Sequence, residues 1–516
     1  MNILINEIPK KERLLVSRLR EFIDTDRNDT IAVIAGIRKT GKTTILNQLE
    51  DYYSKKSLKV VKINLDNKLD DCNIIDEINE KEPDLLLLDE ISFLDNYEMF
   101  SQTLYNITAS EYSKRFKIII TGSSSAHIIK LSGTKLGARA KLFRLPPLTF
   151  VEYLYFTDRI QSYSEYNSVK NEDFSDYLQL KGLGEKAPGL AITFDEEYFA
   201  DFYNEIELSN RQSHLTHSIT NLGQNDLTNM INILAYKLNE SKIYKNTMDP
   251  KVGGQEYHHL AIPPKRTKIQ WSKIDLSDTI IEDSVKAVPE IQAADIGRIL
   301  HFLIWAGIAD IEYHITAATE QKIDPGRVVN ILSQVKNTNE LDSLFKEVSV
   351  CMTSPLYYTR IGEEIMQRMK VSAEELYKGT LYGKMLEIYL RGAIAAKSKN
   401  SILKSTKFNY PDIGEVDICD TRNRVLLEIS IGDKNNDEIY VQEYYPDHDF
   451  LRICSSKTKN YFDKKHRFYH IPYAKLCCMI DTGDIFTKLR ATNMTSDLDV
   501  DLIAEEYKKI FGDMHI

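Results

Sequence analysis

Five short apolar runs alternate with amphipathic helical patterns over the first 157 residues of the chain. The runs cover residues 31–35, 60–65, 85–88, 117–120 and 141–145. Because the apolar residues in each run are continuous rather than alternating, the runs are typical of strands covered on both faces in a parallel sheet. Ahead of them, an amphipathic helix is indicated by the spacing of Leu14, Leu15, Leu19, Phe22 and Ile23. The pattern predicts an α/β domain built on a parallel sheet.

The pattern changes after residue 157. Residues 160–220 are acidic, rich in tyrosine and helical in pattern, and residues from about 221 to 370 are helical with one or two hairpins. An amphipathic helix at 373–397 then precedes a hairpin and a mixed α/β tail. Since 516 residues are too many for one hydrophobic core, we expect several domains.

Composition narrows the class of protein. The formal net charge is −10, so any contact with nucleic acid would depend on a local basic patch. The six cysteines show no Cys-x-x-Cys spacing, which favours reduced thiols in a cytoplasmic protein. No signal peptide is visible, and no stretch approaches the roughly twenty apolar residues of a membrane span.

The most specific motif follows the first apolar run, where the chain reads G-x-x-x-x-G-K-T from Gly36 to Thr43 before a helical pattern. In this strand–loop–helix setting the motif is typical of a P-loop, whose backbone N–H groups surround phosphate oxygens. Lys42 would reach the β- and γ-phosphates of ATP, and the Thr43 hydroxyl would bind Mg²⁺. The alternative is a glycine turn in an ordinary βαβ unit. The residues predicted to bind the nucleotide are Gly36, Ile37, Arg38, Lys39, Thr40, Gly41, Lys42, Thr43 and Thr44.

A second signal is the run of four leucines that ends in Asp89 and Glu90. The carboxyl ends of strands in an open α/β sheet form the edge at which ligands bind. At this edge Asp89 would hold Mg²⁺ through water, and Glu90 would polarise the attacking water. The next predicted strand ends in Thr121, with Ser123 two residues on. Either hydroxyl could orient the water or contact the γ-phosphate, or the segment could be a plain Gly/Ser turn.

Arg139 immediately precedes the fifth apolar run. An arginine here could stabilise the charge on a γ-phosphate, in its own chain or in a neighbouring subunit. The alternative is an ordinary surface arginine. The predicted catalytic residues are therefore Glu90, Arg139 and Thr121.

The segments GIRKTGKTT, LLLLDE, ITGSSS, GARAKLFRLPPLTFVEY and DYLQLKGLG together resemble a family of prokaryotic AAA-type, archaeal-ATPase-like P-loop ATPases. These proteins carry a C-terminal restriction-endonuclease-like, PD-(D/E)xK domain of unknown function. The resemblance implies a P-loop core at 1–157, a helical lid or connector at 158–220, a winged-helix-like domain at 221–370 and an endonuclease-like α/β domain at 371–516. It also places the family's arginine on Arg139, although Gly-Ala-Arg here replaces the more usual Gly-Arg.

The implied winged helix contains a first helix at 226–239, a recognition helix at 292–306 and a wing strand at 307–313. The recognition helix offers only Arg298 and His301 to a phosphate backbone, which is poor for reading DNA. The basic segment at 264–273 is a better candidate for DNA contact, and it includes an aromatic ring that could stack on a base. Solvated loop charge is the simpler interpretation, and protein contact by this domain is a further alternative.

In the C-terminal hairpin, alternation places Asp417 on one strand and Glu428 and Ser430 on one face of the other. This matches the D…E-x-K layout of a metal-dependent nuclease, in which two carboxylates hold Mg²⁺ and a lysine activates water. Here Ser430 occupies the lysine position, and Lys434 is the nearest substitute. Glu387, on the preceding helix, is a possible fourth group. The interpretation is a nuclease-like fold with an incomplete site.

We therefore predict an ATPase whose nucleotide state sets the arrangement of a winged helix and a nuclease-like domain. One alternative is an ATP-gated, metal-dependent nuclease acting on DNA or RNA. Another is a nucleotide-binding interaction protein that does not hydrolyse ATP. Partners left open are DNA, an unknown protein and a second copy of the chain.

Overall fold

The structure is a computed structural model that contains three five-stranded sheets among the residues it describes. It describes residues 10–25, 30–37, 39–65, 71–91, 97–109, 116–122, 139–166, 168–187, 242–244, 309–316, 347–357, 380–397, 406–410, 414–416, 418–420, 425–430, 449–454, 461–463, 468–470 and 472–482.

The first sheet is parallel throughout and has the strand order β2-β3-β4-β1-β5. Its strands are β1 (Ile31–Ala35), β2 (Val60–Asn64), β3 (Leu85–Asp89), β4 (Lys117–Gly122) and β5 (Ala140–Arg144). They confirm the five apolar runs to within two residues at either end. Every residue of β1 and β3 is buried, as expected for strands covered on both faces.

Helices cover both faces of this sheet. They are α1 (Leu14–Asp24), α2 (Lys42–Lys55), α3 (Asp71–Lys81) and α4 (Tyr97–Ala109). Side chains of α1 and α2 form one hydrophobic cluster with Ala32 and Ile34. Side chains of α3 and α4 form the other cluster with Ile31 and Val33. Since successive side chains of a strand point to opposite faces, β1 contributes to both clusters and lies in the interior of the sheet.

Three short helices follow the sheet: α5 (Phe150–Phe156), α6 (Glu172–Leu178) and α7 (Leu183–Lys186). Helix α5 begins with a capping box, in which the Thr149 side chain accepts from the Glu152 N–H and the Glu152 side chain accepts from the Thr149 N–H. This arrangement satisfies two backbone N–H groups at the start of the helix.

Two further five-stranded sheets involve the later part of the chain. The second has the order β10-β9-β7-β8-β6 and the third the order β11-β12-β13-β15-β14. Their strands are β6 (Lys242–Tyr244), β7 (Ala309–Thr316), β8 (Glu347–Met352), β9 (Thr406–Tyr410), β10 (Gly414–Val416), β11 (Ile418–Asp420), β12 (Val425–Ser430), β13 (Asp449–Cys454), β14 (Tyr461–Asp463) and β15 (Phe468–His470). The second sheet thus draws strands from both sides of residue 370.

The predicted C-terminal hairpin is correct only in part. Strands β11 and β12 are antiparallel, with Ile418 opposite Leu427. Residues 414–416, expected in the same strand as β11, pair instead with β9 in the second sheet. Alternation of apolar and polar residues identifies an extended segment but not its partner, and this segment is divided between two sheets.

Among the described residues, the last two helices are α8 (Thr380–Lys397) and α9 (Tyr473–Thr482). They pack against α5 and α6 through a cluster of aromatic rings. The cluster consists of Phe150, Phe174, Tyr177, Tyr382, Tyr389 and Tyr473, with ring centroids 5.4–6.1 Å apart. Edge-to-face contacts of this kind add to the free energy of burying the rings. We call this contact the junction, because it joins the first domain to the C-terminal helices.

Close packing at one point of α8 generates a stability prediction. A Cβ atom on Gly392 would lie 2.0 Å from the Thr353 carbonyl oxygen, whereas a Cβ on Gly184 meets nothing within 4 Å. We expect Gly392→Ala to lower the free energy of unfolding by about 1–3 kcal/mol, because backbone must move. Gly184→Ala, the matched control, should change it by less than about 1 kcal/mol. Equal urea-denaturation midpoints for the two variants would contradict this packing.

Candidate functional site

The loop between β1 and α2 is shaped by its two glycines. A Cβ atom on Gly36 would lie 2.6 Å from the Leu145 carbonyl oxygen, so glycine allows the loop to pass against the end of β5. Gly41 has a φ of 91° and immediately precedes α2, and Lys39 has a φ of 60°. Left-handed backbone at a residue other than glycine is uncommon and is concentrated at functional sites.

The Lys42 ammonium lies inside this loop. It is buried and donates hydrogen bonds of 2.7 and 2.8 Å to the carbonyl oxygens of Gly36 and Ile37. The Thr40 hydroxyl donates to the same Ile37 oxygen at 2.8 Å. Arg38, also predicted to bind nucleotide, lies outside the described residues.

The start of α2 is suited to an anion. Its first turn is Lys42, Thr43, Thr44 and Ile45, and its N-cap is Gly41, which has no side chain to occupy the first N–H groups. The N-terminus of a helix carries a partial positive charge, and these N–H groups are donors for phosphate oxygens. Thr43 is exposed and Thr44 half-buried at this end of the helix.

Two carboxylates lie at the end of β3, at the same edge of the sheet: Asp89 is its last residue and Glu90 follows it. Asp89 is buried and accepts a 2.5 Å hydrogen bond from the Thr121 hydroxyl of β4. The same hydroxyl oxygen accepts from the Glu90 N–H at 3.4 Å. Glu90 has a φ of 59°, so the chain turns sharply between the two acids. Thr121 thus connects the acid pair to the strand beside β1, while Ser123 lies outside the described residues.

The register of the sheet brings the loop and the acid pair together. Ile34 of β1 lies opposite Thr121 of β4, and β4 separates β1 from β3. In a parallel sheet all carboxyl ends lie at one edge, and this is where ligands bind. The carboxylate of Asp89 and the hydroxyl of Thr43 are the hard oxygen donors that Mg²⁺ prefers, and Mg²⁺ takes few protein ligands beside phosphates and water. The residues at this edge therefore fit Mg²⁺ and a phosphate chain.

Arg139 lies at the opposite edge of the sheet, so of the two placements expected from the sequence, its own chain or a neighbouring subunit, this position does not fit the first. Its carbonyl oxygen accepts from Ile31, the first residue of β1, at 3.0 Å. Its guanidinium is 4.9 Å from the ring centroid of Tyr105 and 3.5 Å from the Thr108 hydroxyl. A five-residue strand spans roughly 16 Å, which is more than an arginine side chain can cover. Position along the chain indicated a nearby strand but not which end of it.

Behind the loop lies a buried arginine that sequence reasoning did not identify. Arg13 donates to Glu152 Oε1 at 2.8 Å, to the Thr40 carbonyl oxygen at 2.8 Å and to the Pro146 carbonyl oxygen at 3.1 Å. Arg13 is 4% exposed and Glu152 1% exposed. The Glu152 signal was present in the chain, because Thr149-x-x-Glu152 is a capping-box pattern. Arg13 gave no comparable signal, because its partners are distant in sequence.

Helix α5 is also held from the C-terminal side. The Phe150 N–H donates to the Tyr389 hydroxyl at 2.7 Å, and the Val151 N–H donates to Asp481 Oδ2 at 3.1 Å. The Tyr389 hydroxyl in turn donates to Asp481 Oδ2 at 2.5 Å. Burial raises the pKa of Tyr389 well above its usual value, and the charge of Asp481 raises it further. The phenol therefore stays protonated and remains a donor.

The C-terminal nuclease prediction is tested only in part. Asp417 lies outside the described residues, and of Glu428 and Ser430 the structure describes the backbone, within β12. The Glu387 side chain is buried and paired with Arg391, one turn along α8. Among the described residues, His, Cys, Asp and Glu side chains nowhere gather in threes at metal-binding distances.

The winged-helix and DNA-contact predictions also concern residues that lie largely outside the described part of the chain. The helices at 226–239 and 292–306 and the basic segment at 264–273 lie outside the described residues. The strand predicted at 307–313 overlaps β7 from residue 309 onward, and β7 pairs with β8 and β9. Within the part of the chain that the structure describes, every helix is too short or too polar to cross a membrane.

Comparison with known proteins bears on the first domain. Residues 28–154 match the family described as AAA domain. They contain the whole parallel sheet, the P-loop motif and the acid pair. We call this region the AAA domain after the family that it matches. Its parallel sheet and G-x-x-x-x-G-K-T loop are those of a P-loop NTPase fold.

The AAA domain has relatives of unassigned role. An uncharacterized protein of Methanocaldococcus jannaschii is 31% identical over 170 residues, which is 30% of this chain and 34% of that protein. A second from the same organism is 30% identical over 29% of this chain and 33% of its own length. One from Haemophilus influenzae is 26% identical over 28% of this chain and 38% of its own length. The chain thus spans about a third of each curated relative.

Solved structures give a looser likeness. DnaA of Aquifex aeolicus, bound to AMPPCP, is 15% identical with a TM-score of 0.25, over 55% of this chain and 89% of that one. Cdc6p of Pyrobaculum aerophilum is 15% identical with a TM-score of 0.26, over 70% of this chain and 97% of that one.

The buried Arg13–Glu152 pair predicts a dependence of stability on pH. Burial alone would raise the pKa of Glu152, but the charge of Arg13 and hydrogen bonds from Arg13, Thr149 and Leu14 lower it below 4.5. A carboxyl whose folded-state pKa is lowered stabilises the fold above its unfolded-state pKa. We expect this contribution to be present above pH 4.5 and to be lost as the pH falls through the lowered folded-state pKa.

The measurement is the urea midpoint between pH 3 and pH 7 for wild type and Glu152→Gln. The variant should be less stable at pH 7, because Arg13 keeps a buried charge without its counter-ion. Its midpoint should also vary less below pH 4.5. Parallel pH profiles for the two proteins would show that Glu152 is not the titrating group.

Proposed function

We propose that the AAA domain binds Mg-ATP and hydrolyses it, and that the nucleotide state sets the arrangement of the regions that follow. The observation that carries this proposal is the Thr121 hydroxyl, which joins Asp89 and Glu90 beside the P-loop. The Glu90 backbone is held at the strand end beside the P-loop, where a second acid would serve hydrolysis rather than phosphate binding alone. We also propose that the protein acts in the cytoplasm.

The roles of the loop residues follow from their placement. The N–H groups of Gly41, Lys42 and Thr43, at the start of α2, would donate to phosphate oxygens. The Lys42 ammonium, already inside the loop, would add the positive charge that the β- and γ-phosphates require. We assign Ile37, Arg38, Lys39, Thr40 and Thr44 to the same cradle around Gly36.

Asp89 and Thr43 would hold Mg²⁺, which neutralises charge that develops on the phosphate oxygens. Glu90 would orient a water molecule for in-line attack and accept its proton. The hydroxyl hydrogen of Thr121 is directed at Asp89, so we assign Thr121 a positioning role. It fixes the acid pair relative to the P-loop strand.

Arg139 would serve a nucleotide bound by a neighbouring copy. It lies at the edge of the sheet opposite its own P-loop, beside Tyr105 and Thr108. A homo-oligomer that stacks this edge on the P-loop edge of the next copy would bring the guanidinium to a γ-phosphate. On this proposal, efficient ATP hydrolysis requires the protein to form an oligomer.

The downstream regions are proposed to be the parts that move. The divisions implied by the resemblance are a connector at 158–220, a winged-helix-like domain at 221–370 and an endonuclease-like domain at 371–516. Because β7 pairs with β9 across residue 370, we place β6 to β10 in one unit that moves together. In the last of these, α8 precedes a sheet in which β11 and β12 are antiparallel and β12 and β13 are parallel. This order of elements supports the endonuclease-like assignment. DNA contact through 264–273 and a protein partner stay as alternatives.

An ATP-gated nuclease is the second candidate function, and the strand directions of the third sheet support only its fold. It would use Asp417 and Glu428 as ligands of a metal ion. Ser430 at the lysine position and the pairing of Glu387 with Arg391 favour a domain that has kept the fold without cleavage. Metal-dependent cleavage of DNA or RNA that disappears in Asp417→Ala would establish the nuclease.

The hydrolysis proposal is tested with Glu90→Gln. Removing a general base lowers hydrolysis by about 10²–10⁴-fold, so we expect phosphate release to fall at least about 100-fold. ATP affinity should stay within about threefold, a change of less than 1 kcal/mol, because Glu90 does not line the phosphate cradle. Glu80→Gln, an exposed residue of α3, is the matched control and should match wild type.

Lys42→Ala gives the second arm, in which both binding and hydrolysis should be lost. Phosphate release by wild type no greater than by Lys42→Ala would leave a binding protein rather than an ATPase. Normal hydrolysis by Glu90→Gln would remove Glu90 from the mechanism.

The role of Arg139 is tested by complementation. Arg139→Ala should bind ATP but hydrolyse it at least about tenfold more slowly, since arginines of this type contribute about 10³–10⁵-fold in their best cases. Co-expression with Lys42→Ala should restore part of the activity, because one subunit supplies Arg139 and the other binds ATP. Lys141→Ala, two residues along, is the control. Full activity of Arg139→Ala alone, or no restoration, would contradict action between subunits.

A further inference from the structure

Every nitrogen of the Arg13 guanidinium has a partner, and the partners belong to three different parts of the chain. Nε donates to Glu152 in α5, Nη1 to the carbonyl oxygen of Thr40 in the P-loop, and Nη2 to the carbonyl oxygens of Pro146 and Pro147 at 3.1 and 3.4 Å. Arginine has a planar fork of donors that suits several fixed acceptors at once. A lysine could satisfy only one or two of them.

We propose that Arg13 is a positioning residue for the P-loop, and that through Glu152 and α5 it couples the loop to the C-terminal helices α8 and α9 at the junction. The proposal deepens the proposed function and rests on it, because the coupling concerns nucleotide binding. The proposal adds Arg13, Glu152 and the junction to the P-loop motif and the acid pair, which carry the proposed function.

On the loop side, the contact with Thr40 acts on the peptide group that precedes α2. In a planar trans peptide the C=O and the following N–H point in opposite directions. The Thr40 carbonyl oxygen is held toward Arg13 at 2.8 Å, so the Gly41 N–H is turned away from Arg13. The Thr40 hydroxyl and the Lys42 ammonium both bond the Ile37 carbonyl oxygen, which continues the hydrogen-bonded chain across the loop.

In the middle, Glu152 has both carboxylate oxygens fully used. Oε1 accepts from Arg13 and from the Leu14 N–H at 2.9 Å, and Oε2 accepts from the N–H and hydroxyl of Thr149 at 3.0 and 3.1 Å. A buried carboxylate with these partners has little freedom to move independently of them. A displacement of Arg13 is therefore passed to the first turn of α5.

On the C-terminal side, the same turn of α5 is bound by α8 and α9. Consecutive N–H groups of Phe150 and Val151 donate to the Tyr389 hydroxyl and to Asp481. These amides are one and two residues from Glu152, so one helical turn is shared by the P-loop side and the junction side. A change at either side changes the acceptors available to that turn.

The experiment measures the Kd for Mg-ATP in the full chain by titration of a fluorescent ATP analogue. Arg13→Lys keeps the charge opposite Glu152 but loses the fork, and we expect its Kd to rise about tenfold or more, as for the loss of a hydrogen bond to a charged group. Tyr389→Phe, which is in the C-terminal region, should raise the Kd about threefold or more.

Tyr382→Phe is the matched control. Its hydroxyl is 2.9 Å from the Tyr473 hydroxyl and 3.5 Å from the Asn171 carbonyl oxygen, so it belongs to the junction but not to the turn of α5. We expect the Kd of this variant to equal that of wild type, even if its melting temperature falls. A purely structural role for Tyr389 would make the two tyrosine variants alike.

The double variant Arg13→Lys/Tyr389→Phe measures the coupling directly. We expect its Kd to differ by more than about twofold from the product of the two single effects, as for residues in one network. Hydrogen exchange of α9 should also slow on addition of Mg-ATP in wild type and not in Arg13→Lys. Wild-type ATP affinity in both single variants, or independent effects in the double variant, would overturn the proposal. A wild type that does not bind ATP would instead refute the proposed function.

Discussion

The buried guanidinium of Arg13 imposes a constraint that much of the structure satisfies. A charge removed from water needs a counter-ion and a full set of hydrogen bonds, and removing one member of such a pair costs about 3–5 kcal/mol. Glu152, the P-loop carbonyl of Thr40 and the carbonyls after β5 meet this need. The segment before α1, the P-loop, the exit of β5 and the start of α5 must therefore be placed together.

The second constraint is the parallel register of the first sheet. Because β1, β4 and β3 are neighbours and run in one direction, the P-loop, Thr121 and the Asp89–Glu90 pair emerge at a single edge. The left-handed backbone at Lys39 and Glu90 shows where the chain departs from low-energy geometry to shape that edge. The fold supplies the edge, while the named side chains determine its chemistry.

Local patterns in the sequence were sufficient to predict the strands of the AAA domain and the position of its P-loop. Continuous apolar runs identified its five strands, and the P-loop and acid motifs placed Lys42 at the start of α2 and Asp89 at the end of β3. Local patterns did not predict the position of a residue or segment when that position depends on contacts with residues distant in the sequence. Arg139 proved to lie at the far edge of the sheet, and the strand around residue 416 was divided between two sheets. The contacts of Arg13 and Asp481 join residues more than a hundred positions apart, beyond any local periodicity.

The central claim is that the AAA domain binds a magnesium-complexed nucleoside triphosphate. Isothermal titration calorimetry of the full chain with ATP, with and without magnesium, tests it most directly. The account predicts saturable binding at one site per chain that weakens markedly when magnesium is removed with a chelator. Absence of saturable binding to ATP or GTP in the presence of magnesium, by protein that is folded by circular dichroism, would contradict it.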